Sequence, residues 1–306
     1  MNRPKDILFT LLLSLALATP SLAVAMPHLY AVAAIPAPVL NTPDFAAVFG
    51  GRDGKTLHLD PSGLIREVEF VAIPGTAFRI EESLKRGGQT IYRVTTDDYP
   101  YPTKSGYFID SRFVRTADNP PPPRPRRLPP RQKVIDNLLA ARGSRYVWGG
   151  NYRAGIPQLI SFYPPAAKSS LPAATLEKWQ LAGVDCSGLL YEATGGYTPR
   201  NTSALVEYGR AVPIAGLDTA RIIKRVKPLD LIVWSGHVMI VLDRKRVIES
   251  RLGFTGKRGG VVVHPLSEAL MGLLKGRVPL DEYPSTEVKG VKGFVIRRWY
   301  PDGGQE

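Results

Sequence analysis

The sequence predicts an α+β protein, and three observations carry the prediction. Around the only cysteine, Cys186, Leu189, Leu190 and Ala193 recur at i, i+3, i+4 and i+7, the spacing of one helix face. From Val226 onward a run of strands is read: Val226–Trp234, Ser235–Leu242, Val247–Ser250, Val261–Val263 and Phe294–Trp299. A helix followed by antiparallel strands is an α+β pattern. A proline- and arginine-rich tract, residues 118–131, separates this region from an earlier stretch of short strands.

Taken in order, the chain opens with a basic Asn2-Arg3-Pro4-Lys5 and an apolar run, Ile7–Ala18, too short to span a bilayer. Residues 1–25 therefore read as a signal peptide, cut after Ala23 or Ala25, and the expected location is outside the cytoplasm: periplasm, cell wall or medium. No later stretch is long and apolar enough for a transmembrane segment. Residues 26–45, rich in Ala and Pro, read as an irregular lead-in. Residues 46–117 read as all-β. Val68–Ile73 is an apolar strand, and Phe78-Arg79-Ile80 and Ile91-Tyr92-Arg93-Val94 alternate with period two. Gly and Pro clusters punctuate them, as in a small barrel. The tract 118–131 favours an extended polyproline conformation, a semi-rigid linker whose arginines are expected to be solvated.

The second domain is assigned to 132–302. A helix is expected over Gln132–Arg142, with Val134, Leu138 and Leu139 on one face and Gly143 as its stop. The Pro-interrupted segment 151–182 holds a short helix over Ala174–Leu181. Asp185 stands at the N-cap position of the cysteine helix and Gly195 at its end. A further short helix is expected over Ser203–Arg210, and another over Leu266–Lys275.

The chain has 306 residues, one cysteine and a formal charge of +13. A lone cysteine in an exported protein cannot pair within the chain, which leaves a partner thiol, a buried hydrophobe or a reactive free thiol. A helix N-terminus favours thiolate over thiol, which suits the last reading. The four histidines, His28, His58, His237 and His264, are scattered, with no spacing suited to a zinc site, and no cofactor is implied. The basic charge fits anionic cell-envelope polymers. Nucleic acid is disfavoured by export and by the lack of a binding motif.

A thiol nucleophile needs a base, and the base an orienting partner. His237, at the start of an apolar strand after Ser235-Gly236, is the candidate base; its plain alternative is a structural histidine. If Asp243-Arg244-Lys245 is a three-residue hairpin loop, Leu242 faces Arg246, Met239 faces Glu249, and Glu249 shares the face of His237 at a diagonal of roughly 7 Å. A two-residue loop would place Glu249 on the opposite face.

These residues reach a known family. Tyr146-Val147-Trp148-Gly149-Gly150, Val184-Asp185-Cys186-Ser187-Gly188, Asp230-Leu231 ahead of His237-Val238-Met239-Ile240, and Phe294–Arg298 resemble, in order and spacing, the motifs of the NlpC-type cell-wall cysteine peptidases over roughly residues 132–300. The resemblance implies a papain-like fold, with a Cys-bearing helix packed on an antiparallel sheet, and a thiol protease acting on peptidoglycan stem peptides. It implies Cys186 as nucleophile, His237 as general base and Glu249 at the third polar position, where many members have His. It implies Tyr146, Asp185 and Ser187 as substrate contacts, and the Cys186 backbone N–H as an oxyanion donor. The bond implied is γ-D-glutamyl to meso-diaminopimelate, with the meso-diaminopimelate to D-alanine cross-link and a non-catalytic wall-binding protein as alternatives. Met239 and Leu229 depart from positions where the family often has Gly. The segment 151–182 is longer than usual and is expected to bear on specificity if it packs beside the cleft. Ahead of it, Gly106–Val114 resembles the end of a bacterial SH3-like domain, implying a wall-binding barrel over 46–117 or a spacer.

Overall fold

The computed structural model describes residues 30–51, 56–166, 171–253, 259–284 and 292–301; the signal peptide expected over 1–25 lies outside them. Among these residues no helix is long and apolar enough to cross a membrane. Two strands, β1 (Tyr30–Ala33) and β2 (Ala37–Leu40), are followed by a short helix, α1 (Phe45–Gly50). Then come β3 (Val68–Ala72), β4 (Ala77–Arg86), β5 (Gln89–Thr95), β6 (Tyr107–Asp110) and β7 (Val114–Ala117). They form one antiparallel sheet in the order β3-β2-β6-β5-β4-β1-β7.

Two expectations are corrected here. The lead-in 26–45 is not irregular: β1 and β2 lie within it, with Ala31, Ala33, Ala37, Val39 and Leu40 buried. In β1 alanines supply the inward positions, so hydropathy alone did not mark it, and in β2 Pro38 interrupts a short run that is buried throughout. The SH3-like barrel is not seen either. The sheet is open, with β3 and β7 at opposite edges and no ladder between them among the described residues.

The second half begins with α2 (Arg131–Ala140), then β8 (Asn151–Tyr152), α3 (Gln158–Phe162), α4 (Ala173–Trp179) and β9 (Gly183–Val184). The cysteine helix is α5 (Cys186–Ala193), followed by α6 (Thr202–Leu205), β10 (Arg210–Val212) and α7 (Thr219–Arg225). The helix expected over Ser203–Arg210 is thus a single turn, and its far end enters the sheet. Next are β11 (Leu231–Trp234), β12 (His237–Val241), β13 (Arg246–Arg251), β14 (Gly260–Pro265), α8 (Leu266–Leu274), β15 (Val278–Pro279) and β16 (Gly293–Arg298). The sheet order is β10-β16-β11-β12-β13-β14, antiparallel, with β15 added in parallel to β16.

Period-two alternation sends successive side chains to opposite faces. Leu231, Val233, Val238, Ile240, Ile248 and Val295 pack against α2 and α5. Ile232, Met239, Val241, Val247, Phe294 and Ile296 pack against α7 and α8. Both faces are covered by helices, which is why these strands read as continuous apolar runs.

The segment 151–182 packs on the N-terminal sheet. Ile156, Leu159, Ile160, Tyr163, Trp179 and Leu181 belong to the same buried core as Phe45, Phe49, Phe70 and Phe78. Tyr163 donates its hydroxyl to Asp110, which also takes a bidentate pair from Arg112, and Trp179 Nε1 donates to the Tyr163 carbonyl at 2.9 Å. The linker arginines are not all solvated. Arg124, 9% exposed at its side chain, pairs with Asp98 and donates to the Gly195 and Gly196 carbonyls at 3.1 and 2.9 Å. Arg126 also pairs with Asp98. The linker is pinned across both halves.

Trp179 is 1% exposed and joins segment 151–182 to the N-terminal core. Trp179→Ala is expected to lower the unfolding free energy by about 3–5 kcal/mol in urea denaturation.

Candidate active site

Asp185 sits just outside α5 in an extended conformation, and its Oδ1 accepts the Gly188 N–H at 2.6 Å, the N-cap bond the sequence anticipated. The same carboxylate takes Arg200 in a bidentate pair, Nη1 to Oδ1 at 3.0 Å and Nη2 to Oδ2 at 2.7 Å. Arg200 is 3% exposed, and every N–H it carries has an acceptor. Besides Asp185, these are the Ser187 hydroxyl at 2.9 Å, the Gly150 carbonyl at 3.1 Å and the Asn151 side-chain oxygen at 2.9 Å. Asp185 and Ser187, expected to touch substrate, also hold side-chain oxygens in this buried network.

The glycines flanking the cysteine are explained by close approach. A Cβ on Gly188 would fall on the Gly150 carbonyl oxygen. Gly149 has φ +68°, and a Cβ there would strike Val68 of β3. The loop carrying Tyr146 therefore lies directly between the nucleophile helix and the N-terminal sheet. Tyr146 is half-buried there. Burial, reinforced by the negative charge of Asp185 and Cys186, pushes its phenol up, so it stays a neutral hydroxyl. Trp148 is 38% exposed, with the Arg66 guanidinium 4.2 Å from its ring centre.

His237 and Glu249 are placed by two hairpins. β11 and β12 pair with Trp234 opposite His237, leaving Ser235-Gly236 as the turn, and the Gly236 N–H is held by Thr202 Oγ1 at 3.0 Å. The loop between β12 and β13 has three residues, Asp243-Arg244-Lys245, with Leu242 N–H on the Arg246 carbonyl at 3.0 Å and Ile240 opposite Ile248. Glu249 then falls on the face of His237, and His237 Nε2 lies 2.5 Å from Glu249 Oε2. Cys186 acts on the same imidazole, and its sulfur favours the protonated ring. The sulfur also lies 4.0 Å from the Gly236 carbonyl oxygen.

The charges follow from this geometry. Burial by itself lowers the His237 imidazole. Hydrogen bonds with Cys186 and Glu249, and the negative charge of both, override it and push the group up to about 9. Burial by itself raises Glu249; hydrogen bonds from His237 and His264 and their charges hold it at about 2. The arrangement suits a thiol that transfers its proton to an imidazole whose positive form is stabilised by a fixed carboxylate. Among the described residues no cluster of His, Cys, Asp or Glu is placed to hold a metal ion.

Two groups of residues escaped sequence reasoning. Arg200 and Asn151 carry no periodic signal, and only their burial reveals them; Pro199-Arg200-Asn201 reads as a polar turn. His264 stands at the end of an apolar strand run, a polar residue where β14 meets α8, and it reaches Glu249 Oε1 at 2.8 Å.

No family model matches the chain, and no curated protein does. Solved structures similar to it include an NlpC/p60 family protein from Bacillus cereus, 15% identical, covering 90% of this chain and 64% of that one, TM-score 0.33. Another is the resuscitation promoting factor interacting protein RipA in a mutated form, 21% identical over 55% of this chain and 61% of that one, TM-score 0.30. A third is RipD from Mycobacterium tuberculosis, described as a non-catalytic NlpC/p60 domain protein adapted to peptidoglycan binding. It is 18% identical over 55% of this chain and 95% of that one, TM-score 0.30. The chain spans less than two thirds of the length of the first two.

Two measurements check the site. Arg200→Met leaves the Asp185 carboxylate buried without its cation and is expected to cost about 3–5 kcal/mol of stability, read by urea denaturation. In an NMR titration the His237 ring is expected to lose its proton near pH 9, and at distinctly lower pH in Glu249→Gln. Because the folded-state value is raised, the stability contributed by protonated His237 is fully present below about pH 6.5 and lost as pH rises through about 9. Glu249→Gln should flatten that loss.

Proposed function

We propose that the protein is an exported cysteine endopeptidase that hydrolyses peptidoglycan stem peptides. The observation that carries this reading is the grouping of Cys186, His237 and Glu249: a thiol in the first turn of a buried helix, an imidazole whose protonated form that thiol favours, and a carboxylate 2.5 Å from imidazole Nε2. The substrate class is supported by the resemblance of the Tyr146–Gly150, Val184–Gly188 and His237–Ile240 motifs to the NlpC-type peptidases.

In the proposed reaction His237 Nδ1 takes the thiol proton, and the thiolate attacks the scissile carbonyl carbon. The backbone N–H of Cys186, at the start of α5, faces the developing oxyanion. His237 then gives its proton to the leaving amine, which departs and leaves a thioester. Water, deprotonated by His237, attacks the thioester, and the sulfur leaves with that proton. Glu249 stays ionised throughout and holds the imidazole in orientation, as a carboxylate does in a triad. Tyr146 forms a neutral wall of the cleft. The bond proposed is γ-D-glutamyl to meso-diaminopimelate.

Incubating purified peptidoglycan with the protein is expected to release soluble peptides bearing a new diaminopimelate amine, identified by mass. Cys186→Ala should lower the rate by roughly a thousandfold or more. Fragments cut at the diaminopimelate to D-alanine cross-link would move the bond. No fragments from the intact protein would sink the hydrolase and leave a wall-binding protein.

A further inference from the structure

We propose that His264 is a positioning residue of the catalytic group, acting on His237 through Glu249; the inference rests on the cysteine-hydrolase reading above. Glu249 is a bridge between two imidazoles. Its Oε2 meets His237 Nε2 at 2.5 Å, and its Oε1 meets His264 Nε2 at 2.8 Å. Strand register brings this about. Glu249 pairs with Val262 and Val247 with His264, so Glu249 and His264 are diagonal neighbours on one face of β13 and β14. That face looks toward α8 across a cleft of about 490 Å³. The other charged groups there are Arg251, whose Nη1 is 3.4 Å from Glu249 Oε1, Glu268 of α8, and Arg277, stacked 4.4 Å over Trp234.

A carboxylate's last torsion is broad and two-fold, so one hydrogen bond does not fix its plane. Donors on both oxygens do, and on Oε1 His264 at 2.8 Å stands closer than Arg251 at 3.4 Å. With Oε1 held by His264, Oε2 is aimed at His237, which orients that ring in turn. The second donor also makes Glu249 less basic, so the proton stays on the imidazole rather than passing to the carboxylate. Glu249 is 6% exposed at its side chain and His264 21%, so the outer imidazole also shields the inner carboxylate from the cleft.

The test uses Cys186 as its own reporter, since it is the only cysteine in the chain. The rate of its alkylation by iodoacetamide is measured against pH in the wild-type protein, His264→Met and His264→Gln, each checked for folding by circular dichroism. Methionine keeps the bulk without an N–H donor; glutamine keeps a donor. In His264→Met the rate is expected to fall roughly tenfold at about pH 5, at the low end of the loss when an outer hydrogen-bond partner of a metal-held histidine is removed. The acidic limb of the profile should move to higher pH, because Glu249, stripped of one donor, takes up a proton sooner. His264→Gln should restore most of the rate. A His264→Met profile that superimposes on wild type, or an equal loss in both variants, overturns the proposal. Stem-peptide cleavage by the wild-type protein, run alongside, separates the two claims. Cleavage with superimposed alkylation profiles removes only the role of His264, and shifted profiles without any cleavage remove the endopeptidase reading.

Discussion

The buried Asp185–Arg200 pair is the constraint on which the site depends. Taking two charges out of water costs several kcal/mol each, and the cost is recovered only when their hydrogen bonds are complete. Here they are. Each guanidinium N–H has an acceptor, and the acceptors come from two separate parts of the chain: the cap and first turn of α5, and the adjacent Gly150 carbonyl and Asn151 side chain. Few alternative arrangements satisfy all of them. Because Asp185 is both ion-pair partner and N-cap, fixing Arg200 fixes where α5 begins, and Cys186 is the next residue. A buried pair is weak evidence of stability but strong evidence of placement, and placement is what a nucleophile requires.

On the other side of the sulfur, the sheet supplies a second fixed point. His237 is the first residue of β12, so its backbone is half held by the ladder and half by the turn that Thr202 pins from α6. Glu249 is rooted deeper, opposite Val262, with strands on either side of β13. Met239 is 4% exposed and packs with Leu266 and Leu270 of α8. It fills space under a helix that this chain lays across the face behind the imidazole. Met239 serves packing rather than the chemistry at the sulfur.

Much of this was legible in the sequence where local physics dominates. The α5 face, its Asp185 cap and the two-sided strands follow from periodicity. The partnership of His237 and Glu249 follows from counting residues across a three-residue loop. What was not legible is non-local. Alanine-rich β1 and Pro38-bearing β2 are strands because the sheet needs them to be, not because Ala or Pro favours strands. An isolated arginine after a proline gives no hint that it ends 3% exposed, and His264 counts only once register places it beside Glu249. The barrel expectation failed because strand count and turn spacing do not fix whether the first and last strands meet.

The pinned linker and the packing of segment 151–182 give the N-terminal sheet a direct bearing on the site. Asn151 is fully buried. Its amide donates to the Val71 carbonyl at 2.8 Å, and its oxygen takes the Val71 N–H at 2.9 Å along with Arg200 Nε. Moving β3 away would strip this amide of two partners and Arg200 of a well-placed acceptor, each loss costing about 1–3 kcal/mol in a buried setting. Gly149 is pressed against Val68 of the same strand, so the Tyr146 loop would shift with it. Arg124 holds the far end, tying Asp98 of the N-terminal half to the turn after α5. Both ends of the nucleophile helix are thus referenced to the N-terminal sheet. A sheet that merely tethered the second half to a polymer would need none of these contacts. Their burial makes it a structural wall of the site, whatever else it binds.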